Sequence, residues 1–361
     1  MPLMEPTQDH APGLRAIGWR APATPLELGA GQRVARVIAQ HRNGYRLHDG
    51  VAEFVAQPAP RFLRRDAEAS ARPAVGDFVL ITEGAPPLID AVLPRRTTLS
   101  RAAAGERHTR QNIATNVDSV FVLMGLDGDF NPRRVERYLL LIEGSGARAV
   151  VVLTKLDKVE NATALVEQLR AALPDVELHA INAKDPASVA PLLAHLKPGD
   201  SVVLVGSSGA GKSTLTNTLL GVERQAIGDV RASDSRGRHT TTHRALILLP
   251  SGGCLIDTPG MREIKLTGDE ELGAATFADI EALALQCRFG DCTHGNEPGC
   301  AVRAALESGE LDADRWVAYL KLRGELAAAG DALEAQLKRK SVARVANKAL
   351  GKRLIDKYGR R

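Results

Sequence analysis

With 361 residues, 44% of them apolar and 25% charged, the chain is long enough to bury substantial cores in two or three domains and reads as globular and soluble. The first thirty residues hold no apolar run long enough for a secretory leader, and no segment approaches a membrane span. This excludes secreted and membrane-spanning classes and leads us to expect a cytoplasmic protein.

In chain order, residues 1–30 are rich in Pro, Ala and Gly without periodicity and read as a poorly ordered extension. Short apolar stretches at 33–39, 45–48, 51–55, 78–81 and 88–92, separated by turn signals such as Asn43-Gly44, predict a small five-stranded β-barrel. Residues 95–116 carry Arg95, Arg96, Arg101, Arg107 and Arg110 with little apolar content. They read as a basic linker, either a contact for a polyanion or a solvated loop.

Strands and helices then alternate. Strands are expected at 119–124, 149–153, 176–181, 202–205, 245–249 and 254–256, with helices over 132–143 and 162–172 and from Lys212. Such near-continuous apolar strands between helices indicate an α/β domain with a parallel sheet covered on both faces. Beyond Gly260 the chain becomes helical, with a cysteine-rich interruption and a stripe of Trp316, Tyr319, Leu320 and Leu326 expected to be core. The net charge of +4 hides a segregation. Residues 338–361 carry ten basic side chains against Asp356, a local +9 that leaves −5 elsewhere. That tail suggests a polyanionic partner, or serves only as a solvated terminus.

The chemistry concentrates at strand ends. The strand at 202–205 runs into Gly206-Ser207-Ser208-Gly209-Ala210-Gly211-Lys212-Ser213-Thr214, a P-loop in the strand–loop–helix context it requires. Its glycines let backbone N–H groups converge on phosphate oxygens, and the helix points its positive end at them. Lys212 is expected to reach the β and γ phosphates, and Ser213 to ligate Mg²⁺. Asp257-Thr258-Pro259-Gly260 follows another strand, so Asp257 suits a Walker-B role on Mg²⁺ and the Gly260 N–H suits the γ-phosphate. Between them, Gly237-Arg238-His239-Thr240-Thr241-Thr242 reads as a mobile switch, with Thr241, or else Thr242, completing the Mg²⁺ shell.

A P-loop alone does not separate GTP from ATP. Thr154-Lys155-Leu156-Asp157, directly after a strand, does so. An aspartate there accepts from guanine N1–H and N2–H₂, which adenine cannot match, while the Lys155 stem packs over the base. A metabolic kinase or ATPase is disfavoured on that ground. Asn182-Ala183-Lys184 reaches the same sheet edge as a weaker second base contact.

Cys287, Cys292, His294 and Cys300 form C-x₄-C-x-H-x₅-C among turn-forming Gly290, Gly295, Pro298 and Gly299. Three sulfurs and one imidazole make a closed, structural Zn²⁺ site. Cys254 lies inside a strand and reads as core.

The guanine motif precedes the P-loop, the reverse of the usual order, so the chain resembles a circularly permuted GTPase. With the barrel, the Gly237–Thr242 switch and the metal cluster, it resembles the RsgA/YjeQ family of small-ribosomal-subunit-dependent GTPases over residues 31 to about 340. The resemblance implies a multidomain protein. It would have an OB-fold, RNA-binding barrel at 31–98, a permuted P-loop GTPase domain at 99–270, a helical zinc domain at 271–337 and the basic tail at 338–361. It also implies GTP/GDP, Mg²⁺ and Zn²⁺ as ligands, the small ribosomal subunit and its rRNA as partners, activation by that subunit, and no membrane. We expect a monomer. The alternative is a GTP-gated RNA-binding module whose turnover is incidental. Two positions depart from the GTPase pattern. Thr154 stands where Asn is usual, and Met261 follows the Asp-x-x-Gly where many GTPases place a water-orienting Gln, which leaves His239 as candidate for that role or as a packing residue beside the loop.

Overall fold

The computed structural model describes residues 11–22, 26–41, 44–64, 69–102, 110–221, 244–258, 277–331 and 334–335. The chain divides into two compact units, residues 1–100 with 111–264, and residues 101–110 with 265–361.

In the first unit, β1 (Gln32–His41), β2 (Gly44–His48), β3 (Glu53–Pro58), β4 (Phe78–Thr82) and β5 (Leu88–Val92) fall close to the five predicted strands. β1 pairs antiparallel with both β2 and β4, β4 with β5, β2 with β3, and β3 runs parallel to β5 at Pro58↔Ile89. Every strand thus has two partners within the set and the ring closes. Alternate residues point inward, so Ala35, Val37, Tyr45, Leu47, Val79, Ile81 and Ile89 form its buried interior.

The second part of this unit contains β8 (Ser119–Gly125), β9 (Arg148–Thr154), β10 (Glu177–Ala180), β11 (Ser201–Gly206), β12 (Ala245–Leu248) and β13 (Cys254–Asp257). Their spatial order is β10-β9-β8-β11-β13-β12, parallel except for β12. Each central strand buries both faces. In β8, Val120 and Val122 join one core while Phe121 and Leu123 join the other. The short helices α1 (Ala11–Ala16) and α2 (Pro60–Leu63) flank the barrel strands in sequence, and α3 (Pro132–Glu143), α4 (Ala162–Ala172), α5 (Pro186–Val189) and α6 (Lys212–Leu220) intervene between the sheet strands. α3 forms where predicted. Asn131 caps it by accepting from the Arg134 N–H, Pro132 sits in the first turn, and Val135, Tyr138, Leu139 and Ile142 bury one face.

Three local features differ from the sequence reading. Within the first thirty residues α1 forms, and Leu14 and Ile17 are buried in the main core, because two apolar residues three apart suffice to anchor one turn. The stretch read as a basic linker holds β6 (Thr98–Ala102) and β7 (Arg110–Thr115), which pair as a two-stranded ribbon with Leu99 and Ile113 fully buried. The arginines between them masked the alternation. In the second unit, a helix over 313–331 buries Tyr319, Leu322 and Leu326, whereas Leu320 is exposed, contrary to expectation. The buried stripe steps by three and four residues, and Leu320 falls off it.

Barrel and sheet meet at Arg36, whose side chain is wholly buried. Its guanidinium donates to the Ile17 carbonyl, to Ser201 Oγ at 2.8 Å, to the Asn116 carbonyl at 3.1 Å and to the Gly76 carbonyl at 3.3 Å. Burial lowers its pKa from the ordinary value.

On β10, Glu177 Oε1 lies 2.8 Å from His179 Nε2 and 2.9 Å from His195 Nε2, and Arg148 Nη2 lies 2.8 Å from Oε2. These are hydrogen-bond lengths, shorter than the roughly 3.3 Å that nitrogen and oxygen ligands keep on a shared tetrahedral metal. Burial raises the Glu177 pKa, but the bonds from His179 and His195 and the charges of His195 and Arg148 outweigh it and hold the carboxyl below its ordinary 4.5. A depressed folded-state pKa contributes stability above the unfolded value, and that contribution is lost as pH falls through the folded one. Glu177→Gln is therefore expected to melt below wild type at neutral pH and to converge with it below about pH 4.5, as thermal melts across pH would show.

Candidate nucleotide site and metal centre

β11 is buried along its whole length and ends at Gly206, from which the loop to Gly211 leads into α6. A Cβ on Gly206 would lie 2.4 Å from the Leu123 carbonyl oxygen, so only glycine lets β11 leave the sheet beside β8. Lys212 opens the helix and its Nζ donates to the carbonyls of Gly206 and Ser207, both at 2.6 Å, which curls the loop around the ammonium group. Ser213 and Thr214 follow in the first turn, half-buried.

Residues 154–157 are joined to this loop. Thr154, the last residue of β9, is fully buried, and its hydroxyl donates to the Ala210 carbonyl at 2.8 Å. Thr154, which stands where the GTPase pattern has Asn, thus ties the end of β9 to the loop before α6. Lys155 adopts a left-handed backbone (φ 63°), which turns the chain out of the strand, and the Leu156 N–H then donates to the Ile181 carbonyl at 3.2 Å. Asp157 follows in a single 3₁₀ turn and is exposed. Asn182 to Lys184 approach from the neighbouring strand. The Thr218 hydroxyl of α6 donates to the Ala183 carbonyl at 2.6 Å, and Asn182 Oδ1 accepts from the Lys184 N–H.

Asp257 ends β13, whose register pairs Val203 with Ile256, so its carboxylate leaves the sheet at the same C-terminal edge as the phosphate loop. The next residue, Thr258, is buried and donates to the Leu204 carbonyl at 2.8 Å. His239, Thr240, Thr241, Thr242, Gly260 and Met261 lie outside the described residues, as does the basic tail.

Sequence reasoning missed Asp127, in the loop after β8. Its Oδ2 pairs with Lys155 Nζ at 2.7 Å and fixes the lysine stem beside the turn at 156–158. Burial raises the Asp127 pKa, but the Lys155 bond and charge and the Asp129 amide outweigh it and hold the carboxyl below its ordinary value. The signal was available: Asp127-Gly128-Asp129 follows a predicted strand at the same edge as the other motifs.

In the second unit, α7 (Ala278–Ala284) and α8 (Ala301–Ser308) bracket the cysteine loop. The ligand atoms of Cys287, Cys292, His294 and Cys300 all lie within 4.8 Å of one another. The Cys287 and Cys300 sulfurs are 3.9 Å apart, and His294 Nδ1 is 3.5 Å and 3.6 Å from them. Ligands set tetrahedrally around Zn²⁺ at the usual bond lengths stand about 3.8 Å apart for two sulfurs and about 3.5 Å for sulfur and nitrogen. The donor set therefore fits zinc in both chemistry and spacing. Local backbone makes the convergence: His294 is left-handed (φ 62°), and Cys300 caps α8, its sulfur accepting from the Arg303 N–H at 3.4 Å. Trp316 packs edge-on to the His294 ring at 5.6 Å and stacks on Tyr319.

Comparison with known proteins agrees with this geometry. The RsgA GTPase family model matches residues 92–267. The small ribosomal subunit biogenesis GTPase RsgA of Xanthomonas euvesicatoria pv. vesicatoria (strain 85-10) is 52% identical over 373 aligned residues, covering 99% of this chain and 100% of that protein. Its namesake from Xanthomonas oryzae pv. oryzae (strain MAFF 311018) is 53% identical over 365, covering 97% and 98%. The crystal structure of YjeQ from Thermotoga maritima superposes with a TM-score of 0.60 at 25% identity, over 82% of this chain and 98% of that one. YloQ, a circularly permuted GTPase, shares the fold with a TM-score of 0.58 at 23% identity, over 83% and 98%. The chain belongs to the RsgA GTPase family and is a GTP hydrolase whose fold is circularly permuted.

Proposed function

We propose that this GTPase assists late maturation of the small ribosomal subunit, binding it in the GTP state and leaving after hydrolysis. The observation that carries the reading is identity above 50% over nearly the whole chain to proteins named for small-subunit biogenesis. In this reading residues 31–98 are an OB-fold barrel that meets rRNA together with the basic tail at 338–361. Residues 99–270 hold the nucleotide, residues 271–337 form the zinc domain, and the protein works as a cytoplasmic monomer.

Residues 206–214 cradle the phosphates, with Lys212 on the β and γ oxygens. Residues 154–157 and 182–184 hold guanine. Ser213, Thr241 and Asp257 would supply the hard oxygen donors that Mg²⁺ prefers, and a bound Mg²⁺ would supply charge neutralisation for phosphoryl transfer. The Gly260 N–H meets the γ-phosphate and His239 orients the attacking water. Cys287, Cys292, His294 and Cys300 hold one structural Zn²⁺.

Purified small subunits are expected to raise GTP turnover at least tenfold, since ordering of a switch by a partner is worth several kcal/mol in other GTPases. Phosphate release measured with and without subunits checks this. Equal rates would sink the proposal while leaving the GTPase activity intact.

A further inference from the structure

We propose that Asp129, in the loop between β8 and α3, is a positioning residue for the phosphate loop, acting through Ser207. Its Oδ2 accepts from the Ser207 hydroxyl at 2.5 Å, and its Oδ1 is held by Arg134 Nη1 of α3, also at 2.5 Å. One turn further along α3, Tyr138 is buried in the main core, and burial pushes its pKa up to about 12. The second residue of the phosphate loop is thus held by Asp129, itself held by Arg134, from another part of the chain.

Gly206 and Ser207 are the two residues whose carbonyls hold Lys212 at 2.6 Å. When a nucleotide arrives, Lys212 exchanges those carbonyls for phosphate oxygens, and the loop loses the tie that kept it curled. The Asp129–Ser207 bond remains and keeps the backbone N–H groups aimed inward, so less order has to be imposed by the ligand. Arg134 offsets the Asp129 charge, which lets a carboxylate stand behind a loop that binds anions. A hydrogen bond to a charged group falls in the range that a tenfold affinity change requires.

The inference rests on reading residues 206–214 as the phosphate cradle, and Lys212→Ala serves as the control for that reading. Fluorescent GDP and GTP analogues are titrated against the full-length protein, alongside steady-state GTP hydrolysis. Asp129→Ala is expected to weaken GDP and GTP about tenfold alike and to raise KM similarly, with kcat within about twofold and the melting temperature little changed. Asp129→Asn keeps an acceptor oxygen and is expected to recover most of the affinity. Ser207→Ala should match Asp129→Ala, and the double variant should be no weaker than either single one.

Wild-type affinity in Asp129→Ala, or additive losses in the double variant, overturns the role. If Lys212→Ala also binds normally, the cradle reading fails with it; if Lys212→Ala is dead, only the Asp129 inference falls. Should Asp129→Ala not fold, Ser207→Ala decides: a tenfold loss supports the bond and wild-type affinity refutes it.

Discussion

Replacing Asp157 by Asn is expected to lower kcat/KM for GTP by about 10² to 10⁴ while making xanthosine triphosphate a substrate. In the proposed role the carboxylate would offer two acceptor oxygens to guanine N1–H and N2–H₂, and an amide would keep only one and turn a donor toward N2. Each lost charge-assisted bond is worth about 1.5–3 kcal/mol, and two of them span that range. Xanthine carries a carbonyl in place of the exocyclic amine, and the new amide can donate to it. Asp157 is exposed on a single turn tied down through the Leu156 N–H, so the substitution leaves the fold untouched. Competition assays between GTP and xanthosine triphosphate read the outcome, and unchanged GTP use would remove the base-recognition role proposed for residues 154–157.

Removing the zinc proposed for Cys287, Cys292, His294 and Cys300 should have the largest effect on stability. Structural zinc contributes about 10–16 kcal/mol in small sites, comparable to or above the whole stability of a domain. Cys300 has a second role, since its sulfur caps α8. Cys300→Ser, or a strong chelator, is expected to abolish one bound zinc per chain and to erase hydrogen-exchange protection across 277–331. All four ligands lie outside the unit that carries residues 154–157 and 206–214, so GDP binding should persist. Absence of zinc by elemental analysis, or wild-type protection in Cys300→Ser, would refute the assignment.

Much of this was legible in the residue pattern because the relevant physics is local. A P-loop needs glycines at fixed spacing, a closed zinc site needs four soft donors on tight turns, and α3 carries its own cap and first-turn proline, so these features name themselves. What escaped depends on distant pairs. Asp127 and Asp129 stand on a strand-end loop that the pattern marks, but their partners Lys155 and Ser207 follow only when β8 is placed next to β9 and β11. Thr154 stood out only as a departure from the GTPase pattern, and its bond to the Ala210 carbonyl depends on β9 lying beside the loop that precedes α6. Leu99 and Ile113 looked like stray apolar residues among arginines until β6 and β7 paired.

Strand β12 has a neighbour on its outer side. Its antiparallel partner β13 lies on one flank, and on the other it meets β1 of the barrel at Ala39↔Ala245. Arg244, where the described chain resumes, donates to the Asn112 carbonyl of β7 at 2.7 Å. A strand left unpaired on that flank would present free N–H and C=O groups to other molecules and invite sheet-to-sheet aggregation. The barrel therefore also guards the sheet's edge, and the nucleotide-binding half is not a module that can be cut away from it without exposing a sticky backbone.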